Sequence, residues 1–208
     1  DDASRVKSMT RRAIKTSTYI MAPLMMGLAF CAEPIVRLVL TDKWLACVPF
    51  LRIFCITYMF YPIHTANLNA IKAMGRSDLF LKLEIAKKIV GMALLLSTMW
   101  FGVMAMAYSL LVSSVTSQII NSWPNRKLLN YRYLDQLKDI LPGIALAIFM
   151  GCCVNLVALL HLSNTVTLLI QIPMGAAIYI GASAALHLES YEYLIDLIRT
   201  AWKRFTKR

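Results

Sequence analysis

Residues Ile89–Ile120 read IVGMALLLSTMWFGVMAMAYSLLVSSVTSQII and hold no charged side chain over 32 positions. A helix rises about 1.5 Å per residue, so a single helix over this run would be about 48 Å long, against about 30 Å of hydrocarbon in a bilayer. Two helices fit the bilayer, and Trp100-Phe101-Gly102 supplies a turn between them. The choice fixes both the number of membrane spans and the side on which the rest of the chain lies.

The basic residues decide between one helix and two. With two helices, four stretches face the same side of the membrane: Asp1–Lys15, Ala70–Lys88, Asn125–Asp139 and His187–Arg208. They hold 5, 5, 4 and 5 of the 22 Lys and Arg residues. With one helix, the third stretch moves to the opposite side and the bias weakens. Because loops rich in Lys and Arg face the cytoplasm, the sequence predicts two helices.

The whole composition is that of a membrane protein. The chain of 208 residues is 59% hydrophobic and 16% charged, whereas soluble domains average about 45–50% and about 25%. Its charges separate apolar runs of membrane length. We therefore expect an all-α membrane protein with six transmembrane helices over residues 1–187 and both termini in the cytoplasm, with a helix kink near Pro34. The predicted spans lie near 16–40, 46–70, 81–101, 103–124, 140–161 and 166–186.

The tail, residues 188–208, has a different pattern. Its apolar residues recur at helical spacing, and its bases occupy other faces. The apolar set is Tyr191, Leu194, Ile195, Ile198, Trp202 and Phe205. This predicts a basic amphipathic helix on the inner leaflet. A helix packed on the protein's own loops is the alternative.

The sequence contains none of the common motifs of catalytic or nucleotide-binding sites. It has no HExxH, GxSxG, P-loop or glycine-rich dinucleotide turn. The histidines His64, His161 and His187 lie on different spans or loops, and the five cysteines have no metal-ligand spacing. The net charge of +11 comes from clusters beside apolar spans, with no aromatic platform around them. We expect no enzyme activity, cofactor, metal or nucleic-acid partner.

Ionisable groups at membrane depth are costly and usually face a cavity or a partner. Glu33 and Arg37 are four residues apart and so share one helical face. Two interpretations are open: an ion pair that fixes the end of a kinked helix, or a cationic vestibule in which Arg37 and Arg52 bind an anionic substrate. Glu33 is in either case the candidate for an ion pair or for ion coupling.

Four polar residues are predicted in the inner halves of the spans. His64 and Asn67 lie on the second span, and Gln118 and Asn121 lie at the inner end of the fourth. We regard them, together with Arg37 and Arg52, as candidates for lining a substrate cavity. His64 can serve either as a packed polar residue or as a proton carrier.

Three segments carry a family resemblance. They are AEPIVRLVLTDKW over Ala32–Trp44, VPFLRI over Val48–Ile53, and NAIKAMGRSD over Asn69–Asp78 followed by basic residues up to Lys88. They resemble the Wzx-type polysaccharide exporters, flippases of the multidrug/oligosaccharidyl-lipid/polysaccharide exporter superfamily. The likeness is close over about the first 90 residues and follows the helix pattern alone beyond them.

The resemblance implies a fold and a function. Such exporters have two six-helix lobes around a central cavity and move undecaprenyl-diphosphate-linked oligosaccharides across the bacterial inner membrane for surface polysaccharide or lipopolysaccharide. Six spans with both ends inside would form the C-terminal lobe of the twelve-helix fold. The chain begins with Asp1 and not with Met, so we expect a piece of a longer protein whose N-terminal lobe is a further partner.

Partners and alternatives follow from the same resemblance. The implied partners are the lipid-linked oligosaccharide, membrane lipids and glycan polymerases. A multidrug or small-solute transporter lobe of the same fold is one alternative, and it should carry more acidic residues within its spans. A structural membrane protein without transport activity is the other.

Overall fold

The computed structural model describes residues 2–160 and 162–205, and every regular element within them is helical, with no strand there. The α-helices are α1 (Asp2–Phe30), α2 (Ala32–Val39), α3 (Val48–Met59), α4 (Tyr61–Ala73), α5 (Ser77–Thr98), α6 (Val103–Leu128), α7 (Tyr133–Leu156), α8 (Asn164–Ala185) and α9 (Glu189–Phe205). Short 3-10 turns cover Asp42–Cys47, Met99–Phe101 and Val157–Leu160. His161 lies outside the described residues.

The long charge-free run is divided where the sequence predicts a turn. Helix α5 ends at Thr98, one 3-10 turn follows, and α6 begins at Val103. Gly102 joins them with a φ of 92°, a left-handed conformation that glycine adopts without steric cost. The two helices pack side by side as a hairpin.

The first predicted span is bent. Helices α1 and α2 meet at Cys31 and cross at 68°. The break lies one turn before Pro34, because proline has no N–H to donate to the carbonyl of Phe30 and its ring crowds that carbonyl. A second break, at Phe60, separates α3 from α4 two residues before Pro62.

Several helices are long and apolar enough to cross a membrane. Four stretches meet this description, and the bent pair α1–α2 would make a fifth. The four are Asp42–Ala73, Val103–Leu128, Tyr133–Leu160 and Asn164–Ala185. Helix α5, which carries the predicted span near 81–101, is not among them because four charged residues lie in its first half. The chain is a multi-pass membrane protein, with four or five spans supported by length and composition.

Helix α1 is the centre of the bundle. It packs along α7 and against α3 and α4, while α8 covers α7. The main core contains Ile14, Ile63 and Ala147, none of which is accessible. Gly151 of α7 faces Phe30 of α1, and a Cβ added there would lie 2.2 Å from the ring. Glycine at this position therefore sets the distance between α1 and α7.

The basic stretches gather at one end of the bundle. Arg11 of α1 donates two hydrogen bonds of 2.7 Å to the Asp139 carboxylate of α7, and Lys15 pairs with Glu189 of α9. Tyr131, in the loop before α7, donates to Asp139 at 2.8 Å. Burial and this hydrogen bond raise the pKa of the Tyr131 hydroxyl, so that it stays protonated as a donor. These contacts bring the starts of α1, α7 and α9 together, as the predicted sidedness requires.

Helix α9 is amphipathic, as the sequence predicts. Leu188 before it, and Tyr191 and Leu194 on its first turns, pack against the main core. Further along, Leu197 and Ile198 are exposed. The apolar face of α9 therefore packs on the bundle at the first turns of the helix and is exposed further along. Residues 206–208 of the predicted tail lie outside the described residues.

Candidate functional site

A network of buried amides joins α4, α6 and α7. Asn67 of α4 donates 2.7 Å and 3.1 Å hydrogen bonds to Gln136 of α7 and Ser122 of α6. Its Oδ1 accepts from Asn125 at 2.7 Å and from Gln136 at 3.0 Å. None of these four side chains is more than 2% exposed. These hydrogen bonds fix the register of three helices, and the Asn125 Oδ1 atom is the one acceptor of the four side chains that is buried without a partner among the described residues.

The network continues towards the middle of α6. Asn121 lies 2.8 Å from His64 Nδ1, and Tyr61 stacks on the imidazole with 5.6 Å between ring centroids. Gln118, one turn away, accepts a 3.2 Å hydrogen bond from the Tyr133 hydroxyl. The Oδ1 atom of Asn121 is buried and has no partner among the described residues. His64, Asn67 and Asn121 therefore lie at the contact of α4 with α6, and Gln118 joins α6 to the start of α7.

A cavity of about 460 Å³ opens beside His64, between α4, α5 and α6. Helix α6 lines it with three hydroxyls, and α5 lines it with three charged side chains. These are Ser109, Ser113, Ser117, Glu84, Lys87 and Lys88. At Gly91 an added Cβ would lie 3.3 Å from Ser113 Oγ, so glycine brings α5 close to α6. Two ammonium groups against one carboxylate give this lining a net positive charge.

Lys87 has an unusual environment. It is only 7% exposed and is the one buried charged residue in the described part of the chain. Its ammonium lies 2.5 Å from Glu84 on the same helix. A lysine withdrawn from solvent requires a counter-charge or a hydrogen-bonding ligand, because an isolated buried ammonium is costly.

At the opposite end of the bundle, Arg37 forms ion pairs with Glu33 at 3.0 Å and with Asp42 at 2.6 Å. Glu33 and Arg37 are thus in contact at the bent end of the first span, and a role of Glu33 in ion coupling stays a prediction. Arg52 of α3 is exposed and donates a 3.3 Å hydrogen bond to the Ala29 carbonyl at the end of α1. The structure does not bring either arginine to the His64 cavity, and a cationic vestibule formed by the pair stays a prediction.

Comparisons with known proteins point to one biological setting. Residues 1–49 match a sequence family described as "Polysaccharide biosynthesis protein". A membrane protein of Klebsiella pneumoniae, described as "Uncharacterized membrane protein in cps region", is 29% identical over 122 residues. That match covers 58% of this chain and 25% of the relative. The chain is similar to membrane proteins of polysaccharide biosynthesis.

The extent of these matches is limited. The chain spans about a quarter of the length of the curated relative that it matches. No solved structure matches the chain. The family match covers α1, α2 and the turn after them.

Lys87 and Glu84 are the site residues that sequence reasoning missed. Lysines at the start of a transmembrane span commonly extend their ammonium groups towards the lipid headgroups and stay solvated. A signal was available, since residues three apart with opposite charges share a helix face. That face also carries Gly91, one turn beyond Lys87. Charge pairing next to a small residue could have indicated a helix contact rather than a solvated surface.

The cavity can hold an anion with several hydroxyl groups. Lys88 offers an exposed ammonium, and Lys87 can exchange its carboxylate partner for a ligand phosphate. The three serine hydroxyls of α6 can donate to or accept from a sugar. Among the described residues, no group of three or more His, Cys, Asp or Glu side chains is placed to hold a metal ion.

Proposed function

We propose that this chain is one lobe of an inner-membrane exporter that moves an anionic, lipid-linked oligosaccharide from the inner to the outer leaflet. The observation that carries the proposal is the cavity of α4, α5 and α6, where Lys87 and Lys88 face a single carboxylate. Sugars and phosphates do not cross hydrocarbon unaided. A lined, cationic cavity at membrane depth offers the headgroup an environment that the bilayer lacks.

The chemistry of the lining suits an undecaprenyl-diphosphate-linked sugar. Lysine binds phosphate as a point charge, and the three serine hydroxyls of α6 supply polar contacts for sugar hydroxyls. His64 completes the wall next to them. The similarity to a polysaccharide-biosynthesis family and to a membrane protein from a cps region supports the same substrate class.

The proposed topology has six spans, with α5 as the span that length and composition alone do not support. Its apolar half crosses the outer part of the bilayer, and its charged first turns lie at the cytoplasmic surface or line the cavity. Both termini are then cytoplasmic. This arrangement corresponds to the C-terminal lobe of a twelve-helix exporter, in which rocking against an N-terminal lobe gives alternating access. The protein is then a transporter without enzyme activity, and glycan polymerases use its product.

Lys87→Gln tests this role. The substitution would be made in the native gene and introduced into a strain of the source organism that lacks it. A charge-assisted hydrogen bond contributes about 1.5–3 kcal/mol, so export should fall roughly ten- to hundredfold. The measurement is the amount of surface polysaccharide, together with lipid-linked oligosaccharide accumulating in the inner leaflet.

Lys82→Gln is the matched control, since Lys82 is an exposed lysine on the same helix and does not line the cavity. It should export normally. Membrane levels of both variants, measured by immunoblot, separate loss of transport from loss of protein. Normal export by Lys87→Gln at wild-type protein levels would rule out this site as the substrate cavity.

A further inference from the structure

A second charged cavity lies at the basic end of the bundle, between α1 and α9. Its volume is about 260 Å³. Three basic side chains of α1 line it, together with hydroxyls and one carboxylate. The residues used below are Arg11, Arg12, Lys15, Thr16, Ser190 and Glu189.

The three bases differ in how far their charge is compensated. Arg11 is held by the Asp139 carboxylate, and Lys15 pairs with Glu189. The Arg12 guanidinium lies 4.8 Å from the centre of the Tyr193 ring. No carboxylate pairs with Arg12 in residues 2–160 or 162–205. Arg12 is thus oriented by an aromatic ring and keeps one uncompensated positive charge.

This cavity has two neighbours along α1. It shares the lining residues Lys15, Glu189 and Ser190 with a cavity of about 250 Å³, which is also lined by Tyr19. Tyr19 in turn lines an apolar groove of about 540 Å³ between α1, α7 and α8. The three cavities therefore follow one another from the basic end of the bundle to a groove along its side.

Along α1, the residues that line the charged cavity come before those that line the apolar groove. Arg12, Thr16, Ile20 and Leu24 succeed one another at intervals of four and so lie on one face of the helix. Arg12 and Thr16 line the charged cavity, while Ile20 and Leu24 line the apolar groove. Leu24 is 59% exposed, as expected of a side chain facing lipid. The sequence along this face is charge, then hydroxyl, then hydrocarbon.

The geometry points to a bound anionic phospholipid, with its phosphodiester at Arg12 and one acyl chain in the groove of α1, α7 and α8. One uncompensated cation matches the single negative charge of a phosphodiester, whereas a diphosphate would leave charge unbalanced. Basic pockets beside transmembrane helices recognise lipid headgroups in this manner. Further along α9, Ile198 is exposed and is followed by Arg199, a combination typical of a helix at a lipid surface. The inference does not depend on the transport role.

Native mass spectrometry of the purified, full native gene product tests the lipid site. The probes are phosphatidylglycerol and phosphatidylcholine with identical acyl chains. The wild-type protein should retain phosphatidylglycerol preferentially. A base near an anionic surface contributes about 1 kcal/mol, so Arg12→Gln should weaken that retention about fivefold. Lys127→Gln, an exposed base on α6 outside this cavity, should change it less than about twofold.

A second variant tests the binding of the acyl chain and leaves the charge of Arg12 unchanged. Ala176 lines the groove on α8, and Ala176→Phe should fill it and lower retention of both lipids. Equal retention of the two lipids by the wild type, or unchanged selectivity in Arg12→Gln, would overturn the proposal. Displacement of phosphatidylglycerol by inorganic phosphate alone, or more effectively by an isoprenoid diphosphate, would assign the cavity to a free anion or to the substrate instead.

Discussion

Gly151 determines how closely α1 and α7 approach each other. An added Cβ would overlap the Phe30 ring at 2.2 Å, so Gly151→Ala forces either the ring or the helix to move. Inserting a methyl group into a packed contact costs about 1–3 kcal/mol. We expect a lower midpoint of thermal unfolding for the purified variant.

Gly181→Ala on α8 is the control for this substitution. Nothing lies within 4 Å of a Cβ built there, and alanine is favoured over glycine inside a helix by up to about 1 kcal/mol. This variant should unfold at the wild-type temperature or slightly above it. If Gly151→Ala proved as stable as Gly181→Ala, the α1–α7 contact would be looser than described.

Individual site residues could be predicted where a polar side chain stands in an otherwise apolar stretch of sequence. Asn67, Gln118 and Asn121 are amides in apolar spans, and each forms a hydrogen bond with a polar side chain of another helix. Gln136 was not predicted, because it stands in a polar stretch that reads as a loop and becomes buried only when α7 packs on α4. Lys87 was missed because its burial depends on the packing of α5 against α4 and α6, which hydropathy along α5 does not reveal.

Helix α9 provides a prediction at the scale of an element. Its first residue, Glu189, accepts a hydrogen bond from Lys15, and this bond together with the lysine charge holds the pKa of the Glu189 carboxyl below its ordinary value. A lowered pKa means that the pair stabilises docking above the carboxyl's pKa in the undocked chain. That contribution is lost as the pH falls through the lowered value. Hydrogen exchange in α9 should therefore accelerate on acidification.

Glu189→Gln isolates the contribution of this pair. At neutral pH the variant should exchange faster than the wild type in α9, and its exchange should depend less on acidification once intrinsic rates are corrected. Identical pH profiles for the two proteins would show that the Lys15–Glu189 pair does not hold α9 against α1.

The existence of the elements was more predictable than their ends. The turn at Trp100-Phe101-Gly102 followed from bilayer thickness and charge, and α9 followed from its periodicity. The first residues of the helices were not predicted. Helix α1 begins at Asp2 and α7 at Tyr133, well before the predicted spans near 16–40 and 140–161. Hydropathy indicates where a helix meets lipid, whereas backbone hydrogen bonding continues into polar turns outside the bilayer.

The two ends of the bundle carry different sets of charged groups. The stretches richest in Lys and Arg meet at one end, where Arg11, Lys15 and Asp139 form a network. The opposite end has the bent α1–α2 pair and the Arg37 ion pairs. Charge sidedness predicted this polarity from the sequence.

In the proposed topology, α5 crosses the membrane and carries Lys87 into it. Alkaline phosphatase fused after Phe101, at the turn between α5 and α6, tests this most directly. Fusions after Arg76 and Lys127 should be inactive on the cytoplasmic side, and one after Lys43 should be active in the periplasm. We expect the phosphatase fused after Phe101 to be active in the periplasm. An inactive, cytoplasmic enzyme there would contradict the six-span arrangement and the proposed cavity with it.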